Sequence, residues 1–187
     1  KTGPKEYIPE LNKSLEQTQN PDAVEVVTGA THSSESFKNY SQQLVQAAQA
    51  GKTDTIEIDN GADLKDGTYK LEEKNYSNGY RTDFSITVAG GKITESNYDN
   101  VDKDGKSKKD DADYEKNMKA KSGVGPKEYI EDLNKGLVEK GAPADVEVVT
   151  GATHSSHAFQ TYAAQLVNAA EKGNTETIQV DNIVMKK

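Results

Sequence analysis

An eleven-residue stretch, VEVVTGATHSS, occurs twice in the chain, from Val24 to Ser34 and again from Val146 to Ser156. Each copy surrounds a Gly-Ala pair with four hydroxyl side chains, directly before a segment with helical periodicity. These hydroxyls belong to Thr28, Thr31, Ser33 and Ser34, and to Thr150, Thr153, Ser155 and Ser156. Small residues let a ligand approach the backbone, and the first N–H groups of a helix are unpaired donors in a positive potential. The pattern favours binding of a phosphate group.

A simpler interpretation of these hydroxyls needs no ligand. Ser33 and Ser34 would cap the helix that follows, as Ser155 and Ser156 would in the second copy. One helix start needs one capping side chain, whereas each copy offers four hydroxyls within seven residues. The surplus favours binding, and the motif alone leaves both interpretations open.

Motifs for catalysis or metal binding are weak around this stretch. His32 and His154 could serve as bases for a neighbouring hydroxyl, but a histidine at a helix start is more often a surface residue. His154 and His157 are spaced like two ligands of one metal ion, yet the first copy has Glu35 at the second place and a third ligand is missing. Complete serine-hydrolase, dinucleotide and P-loop strings are absent from the sequence. The sequence therefore predicts no catalytic residue and no metal site.

The composition limits the possible partners. The chain of 187 residues carries 23 basic and 31 acidic side chains, a net charge of -8, which argues against a nucleic-acid or anionic-membrane partner. No apolar run approaches the roughly 18 residues of a membrane-spanning helix. Cysteine is absent, which excludes disulfides, thiol nucleophiles and iron–sulfur ligation.

The repeated stretch belongs to a longer internal repeat. A shift of 122 positions aligns 4–60 with 126–182 without a gap, and 34 of the 57 aligned residues are identical. The period is too long, and the copies too few, for a solenoid. The pattern predicts tandem duplication of a domain.

Both copies present the same order of predicted elements. A helix begins at Pro4 or Pro126, because proline is favoured at a first helical position and apolar residues follow at helical spacing. The run VEVV predicts a short strand that leads into the TGATHSS turn and a second helix, which ends before Gly51 or Gly173. The closing sequences TDTIEID and TETIQVD alternate apolar and polar residues and predict a strand each.

The segment between the copies, residues 66–122, occurs once and has strand patterns. GTYKLEE, GYRTD and the alternation at Phe84, Ile86 and Val88 predict strands, and Gly90-Gly91 predicts a hairpin turn. The stretch VDKDGKSKKDDAD predicts a charged, solvated loop before a short helix over 114–119. The predicted fold is α+β, an antiparallel β-meander packed with helices.

The repeat and the meander together predict an uneven pair of domains. Residues 62–187 would form a complete second domain, and residues 1–61 the C-terminal half of a first one. Without a sheet, residues 1–61 would bury their apolar face poorly. We expect roughly 60 further residues upstream of Lys1, or a sheet supplied by another molecule.

The turn resembles the attachment motif of the FMN-binding domain family, which includes flavin-carrying subunits of sodium-pumping redox complexes. In that family a flavin transferase esterifies the last Thr of [ST]-G-A-T with the phosphate of FMN, so the resemblance implies attachment at Thr31 and Thr153. A carboxylate precedes the motif in the family as Asp and here as Glu25 and Glu147. The resemblance extends to DGTYK, SNGY, ITVAGGKIT and residues 118–126.

The resemblance also implies surroundings and a function. The backbone and side chains of Thr28, Gly29, Ala30, Ser33 and Ser34, and of Thr150, Gly151, Ala152, Ser155 and Ser156, would surround the phosphates, and Met118 and Tyr129 would contact a flavin ring. Up to two covalent FMN groups would make the chain an electron carrier rather than an enzyme, matured by a flavin transferase. Tandem domains of this kind resemble the flavinylated lipoproteins of Gram-positive extracellular electron transfer. Such a protein is lipid-anchored outside the cell through an N-terminal segment, and relays electrons from a quinol-linked membrane donor to acceptors such as ferric iron.

Two other functions stay open at this stage. The TGATHSS loops could present a noncovalent binding or adhesion surface, or the chain could be the electron inlet of a larger flavin-dependent reductase. Flavin that survives denaturation would distinguish the first of these from a covalent carrier.

Overall fold

The computed structural model describes residues 2–184 and divides the chain into two compact units, Lys1–Glu57 and Ile58–Lys187. The first unit contains helix α1, Pro4–Thr18, a short 3-10 helix, Pro21–Ala23, and helix α2, Thr31–Gln49. Helix α1 begins as the sequence predicts: Pro4 follows an N-cap glycine whose N–H donates to Oε2 of Glu6 at 2.9 Å.

The second unit contains a four-stranded sheet and three helices. Its strands are β1, Gly67–Glu73, β2, Arg81–Ala89, β3, Lys92–Val101, and β4, Ile178–Val180. Its helices are α3, Ala112–Ser122, α4, Pro126–Lys140, and α5, Thr153–Lys172, with short 3-10 helices at Lys108–Asp110 and Pro143–Asp145. The sheet order is β3-β2-β1-β4, in which β1 to β3 are antiparallel neighbours and β4 runs parallel to β1. The α+β class and the β-meander are confirmed.

The hairpin between β2 and β3 follows from its turn residues. Ala89 pairs with Lys92, so the loop consists of Gly90 and Gly91 alone. Their φ angles are 60° and 72°, as a two-residue turn of type I′ requires at both positions. The N–H of Gly91 donates to Oδ1 of Asp66 at 3.0 Å, which joins this hairpin to the start of β1.

The strands predicted at both VEVV runs and at TDTIEID were wrong, each for lack of a partner strand. The VEVV runs at 24–27 and 146–149 are not strands, because the N–H of Val27 and of Val149 bonds to a serine hydroxyl instead of a neighbouring strand. Residues 53–59 form no strand, whereas their counterparts include β4, which pairs with β1. The strand predicted at GYRTD is confirmed in part: residues 81–83 open β2, which runs unbroken to Ala89 and so is one strand with the alternation that follows.

The apolar face of the sheet packs against α4 and α5. Phe159 of α5 stacks on Phe84 with ring centroids 4.9 Å apart and meets Tyr98 edge-to-face at 5.2 Å. Residues with no exposed surface complete this core from both layers: Leu71, Ile86, Ile130, Leu133, Leu137, Ala163, Leu166 and Ala170. The alternate residues of the strands point to the opposite face, and several of them, such as Asp83 and Glu95, are polar and exposed. The helices therefore pack against the single apolar face of the sheet.

Asn134 of α4 fastens the edge strand β3. Its Oδ1 accepts hydrogen bonds from Oγ of Ser96 and from the N–H of Tyr98, both at 2.7 Å. Its Nδ2 donates to the carbonyl of Tyr98 at 3.0 Å. One side chain therefore replaces the backbone hydrogen bonds of a further strand.

The first unit has a much smaller core. Leu11, Val24, Val27 and Ala30 are buried, with Tyr7, Leu15 and Phe37 packed around them. Two large aliphatic side chains stay in solvent, Ile8 at 49% and Leu44 at 61% exposure. Their counterparts in the repeat, Ile130 and Leu166, are fully buried. None of the helices in the described part of the chain is both long and apolar enough to cross a bilayer.

We predict that equivalent leucines in the two units contribute very differently to stability. Leu166→Ala should lower the free energy of unfolding of the second unit by about 2–5 kcal/mol, because it leaves a cavity in a closed core. Leu44→Ala makes the same change on an exposed side chain and should alter stability by less than about 0.5 kcal/mol. Urea unfolding followed by circular dichroism measures both, and similar losses in the two variants would contradict the assigned burial.

Candidate functional site

The TGAT sequence forms the same tight turn in both units. The N–H of Ala152 donates to the carbonyl of Val149, and the N–H of Ala30 to that of Val27, at 2.9 Å in each case. Gly151 and Gly29 both have φ of 85°, and the residue before each glycine has negative φ. This is the arrangement of a type II turn, which needs glycine at its third position. The geometry is therefore encoded locally, because it forms with a sheet in one unit and without one in the other.

A buried serine locks each turn. Oγ of Ser156 accepts from the N–H of Val149 at 3.0 Å and donates to the carbonyl of Ala152 at 2.9 Å. Ser34 makes the equivalent bonds to Val27 and Ala30 at the same two distances. Both serines have no exposed surface. Their hydroxyls shape the turn and are not available at the surface.

The helix that follows each turn begins without a side-chain cap. Its N-cap residue is an alanine, Ala30 before α2 and Ala152 before α5, so the interpretation of the serines as ordinary helix caps is wrong. The first bond across the helix start in α5 runs from the N–H of Ser156 to the carbonyl of Ala152. The three N–H groups before it, of Thr153, His154 and Ser155, have no acceptor among the described residues.

These unpaired donors make each helix start receptive to an anion. Three adjacent N–H groups and the positive end of the helix dipole favour a phosphate or carboxylate. The same three positions in α2 are Thr31, His32 and Ser33. Alanine is a poor N-cap, and its use here costs about 1 kcal/mol relative to a capping side chain. An external anion could supply the missing acceptor.

The threonines at the first helical positions are accessible. Thr31 and Thr153 are exposed, and each is the first residue of a helix whose first N–H groups are unpaired. Thr28 and Thr150, at the corner of each turn, are also exposed. A phosphate bound by the backbone would therefore meet a free hydroxyl.

Ser155 affects a buried tyrosine of the second unit. It is half-buried, and its side chain lowers the pKa of Tyr129 on α4, which burial raises to about 12. The Tyr129 hydroxyl donates to Oδ1 of Asn100 on β3 at 3.4 Å. Tyr129 thus stays neutral and links α4 to the sheet.

The structure constrains the two residues predicted to contact a flavin ring. The side chain of Tyr129 is only 1% exposed, so its ring packs in the core and its hydroxyl edge is the part near the turn. Met118 is half-buried against the same core, and its carbonyl accepts a hydrogen bond from Oγ of Ser122 at 2.9 Å. Ring contact by Met118 stays a prediction.

The connection between α3 and α4 packs directly on the turn, which sequence reasoning missed. A Cβ on Gly151 would overlap the carbonyl oxygen of Ser122 and lie 3.0 Å from Cγ1 of Val124. No local signal reveals this contact, because 27 residues separate Val124 from Gly151. Gly151 therefore serves both the turn and this close approach.

An aromatic pair joins α3 to the loop before β2. Tyr80 and Tyr114 meet edge-to-face with centroids 6.0 Å apart, and Nζ of Lys108 lies 4.1 Å from the Tyr114 ring centroid. The Tyr80 hydroxyl donates to Oδ2 of Asp111 at 2.6 Å, which raises the pKa of Tyr80 to about 12 and lowers that of Asp111. The predicted solvated loop thus contains a lysine held over two aromatic rings.

The histidines near the turn of the second unit do not form a metal site with other described residues. Nδ1 of His157 lies 3.3 Å from Oε1 of Gln160. Within the described residues, no three side chains of His, Cys, Asp or Glu come together in a way that could hold a metal ion.

The fold and the turn define a class of small α+β domain that presents an anion-receptive helix start. The FMN-binding domain family matches residues 79–168, which include β2, β3, α4 and the turn before α5. This match identifies one domain, and it lies in the second unit.

Two known proteins are similar to this chain. The 15 kDa lipoprotein of Treponema pallidum (strain Nichols) is 39% identical over 116 residues, which cover 62% of this chain and 82% of that protein. The crystal structure of the CPE2226 protein from Clostridium perfringens superposes with a TM-score of 0.61 at 41% identity, over 64% of this chain and 99% of that one. The chain belongs to the FMN-binding domain family.

We predict that Gly151→Ala destabilises the second unit more than the matched change Gly141→Ala. Both glycines have positive φ, 85° and 72°, which costs an alanine about 1–2 kcal/mol. A Cβ on Gly141 meets no atom within 4 Å, whereas one on Gly151 overlaps the Ser122 carbonyl. Urea unfolding should show the larger loss for Gly151→Ala, and equal losses would contradict the close approach.

Proposed function

We propose that the chain is a flavin-carrying electron-transfer protein in which the Thr153 hydroxyl is esterified by the phosphate of FMN. The observation that carries this proposal is the exposed hydroxyl at the first position of α5, beside three N–H groups without acceptors. Membership of the FMN-binding domain family supports the phosphate of FMN as the anion.

The residues present fit this group. The N–H groups of Thr153, His154 and Ser155 would hold the phosphate oxygens, and the buried Ser156 fixes the turn that precedes them. A phosphodiester keeps one negative charge, which the helix dipole stabilises. FMN supplies one- or two-electron redox chemistry. The protein's part is to hold the phosphate and leave the remainder of the cofactor accessible to partners.

The first unit offers a second attachment site at Thr31. Its turn has the same hydrogen-bond distances, the same glycine φ and the same uncapped start as that of the second unit. A flavin transferase that recognises the turn would therefore meet two equivalent targets. We infer that the chain carries up to two covalent FMN groups in tandem, related domains.

The cellular role we propose is an electron relay outside the cell. Its Treponema relative is named a lipoprotein. A lipid anchor on this protein would hold it at the outer face of the membrane, where it would pass electrons from a quinol-linked donor to external acceptors such as ferric iron. The sequence shows no acid–base pair placed for substrate chemistry, so the partners would carry out the substrate reactions. A covalent cofactor suits this location, because it cannot diffuse away.

We predict that Thr153→Ala together with Thr31→Ala abolishes covalent flavin, while each single variant loses one of two groups. The protein is co-produced with a flavin transferase, and in-gel flavin fluorescence after denaturation gives the result. The fluorescence of each single variant should fall to about half. His154→Ala is the matched control: it removes a neighbouring side chain, keeps the backbone N–H groups and should retain full labelling.

The outcomes separate the possible functions. Undiminished fluorescence in the double variant would contradict attachment at these threonines. Absence of fluorescence in the unaltered protein, with a transferase that labels another substrate, would favour a noncovalent binding module.

A further inference from the structure

A set of side chains on the first unit is exposed although its types suit a buried interface. Ile8 and Asn12 of α1 and Leu44 and Ala48 of α2 are all in solvent. We call these four residues the sheet-docking face. Branched aliphatic side chains in solvent forgo the burial that drives packing.

The repeat shows what such a face contacts when it is covered. The residues 122 positions later are the same four types: Ile130, Asn134, Leu166 and Ala170. The three apolar ones have no exposed surface and belong to the core formed with β1, β2 and β3. The same helix faces are thus buried under a sheet in one unit and bare in the other.

The asparagine is the most specific member of the set. Asn134 accepts from the N–H of Tyr98 and donates to its carbonyl, which satisfies an edge strand. Asn12 lies at the same place on α1 but is exposed. An asparagine that pairs with strand backbone suits a β-sheet as partner and is poorly suited to another apolar helix.

A third difference lies outside the two helices. Residues 178–180 form β4 by pairing with β1, as in Leu71 with Ile178. The corresponding residues 56–58 have no strand structure. The helix faces and this segment therefore lack the same partner, a meander.

We propose that the sheet-docking face binds an additional β-meander of the kind formed by residues 67–101, placed before α1 as β1 to β3 are placed before α4. The meander in this chain cannot cover the face, because its own apolar side chains, such as Phe84 and Ile86, are already fully buried within the second unit. If two copies of the chain exchanged their meanders, every helix pair that gained a meander would leave another helix pair without one. A further meander would cover the face without uncovering another. This inference goes beyond the flavin proposal and does not rest on it.

The test extends the full chain by a second copy of its own meander segment. Residues 62–123 are duplicated and joined in front of Thr2, which corresponds to Val124 in the repeat. Hydrogen exchange is compared with that of the unextended chain. We expect backbone N–H groups in α2 near Leu44 to exchange about 100-fold more slowly, and those of 56–58 to become protected by a new strand pairing.

The control is the extended chain with Leu44→Asp, which places a charge at the centre of the interface and should return exchange in α2 to the unextended rate. Unchanged exchange in α1 and α2 on extension would overturn the proposal, whether or not the added meander folds. Equal protection with and without Leu44→Asp would also overturn it. Protection already present in the unextended chain and lost on dilution would assign the face to a second copy instead.

Discussion

The candidate site depends on one hydrogen-bonded serine in each unit. Oγ of Ser156 holds the N–H of Val149 and the carbonyl of Ala152, and this fixes the turn that ends where α5 begins. The serine hydroxyl bonds within the turn and the N-cap residue is an alanine. The first N–H groups of the helix therefore stay unpaired. The unit thus lacks the roughly 1 kcal/mol of an ordinary cap, and its first helical N–H groups stay available to an anion.

The turn and the core differ in how they depend on the rest of the chain. The turn forms from eleven contiguous residues and has the same distances in both units. The helix faces around it require a sheet: burial of an aliphatic side chain is worth roughly 1.5–3 kcal/mol, and Leu44 forgoes most of that while Leu166 gains it. The geometry of the turn is therefore local, whereas stability is a property of the complete domain.

Local signals in the sequence predicted much of this fold. Pro126 with helical spacing gave α4, and Gly90-Gly91 gave the hairpin, because each acts through backbone conformation within a few residues. VEVV was misread, since a β-branched run indicates a strand only if a neighbouring strand exists to pair with it. The burial of Tyr129 and the approach of Ser122 to Gly151 depend on contacts between distant segments, which no local pattern contains. The motif predicts attachment at Thr153, which stays a prediction, and the absence of a capping side chain could be seen only in the structure.

The most direct test of the central claim is peptide mass mapping of the denatured, unaltered protein made with an active flavin transferase. We expect the peptide containing Thr153 to gain the mass of one FMN joined through its phosphate, and fragmentation to place this mass on Thr153. An unmodified peptide, or a flavin located on another residue, would contradict it.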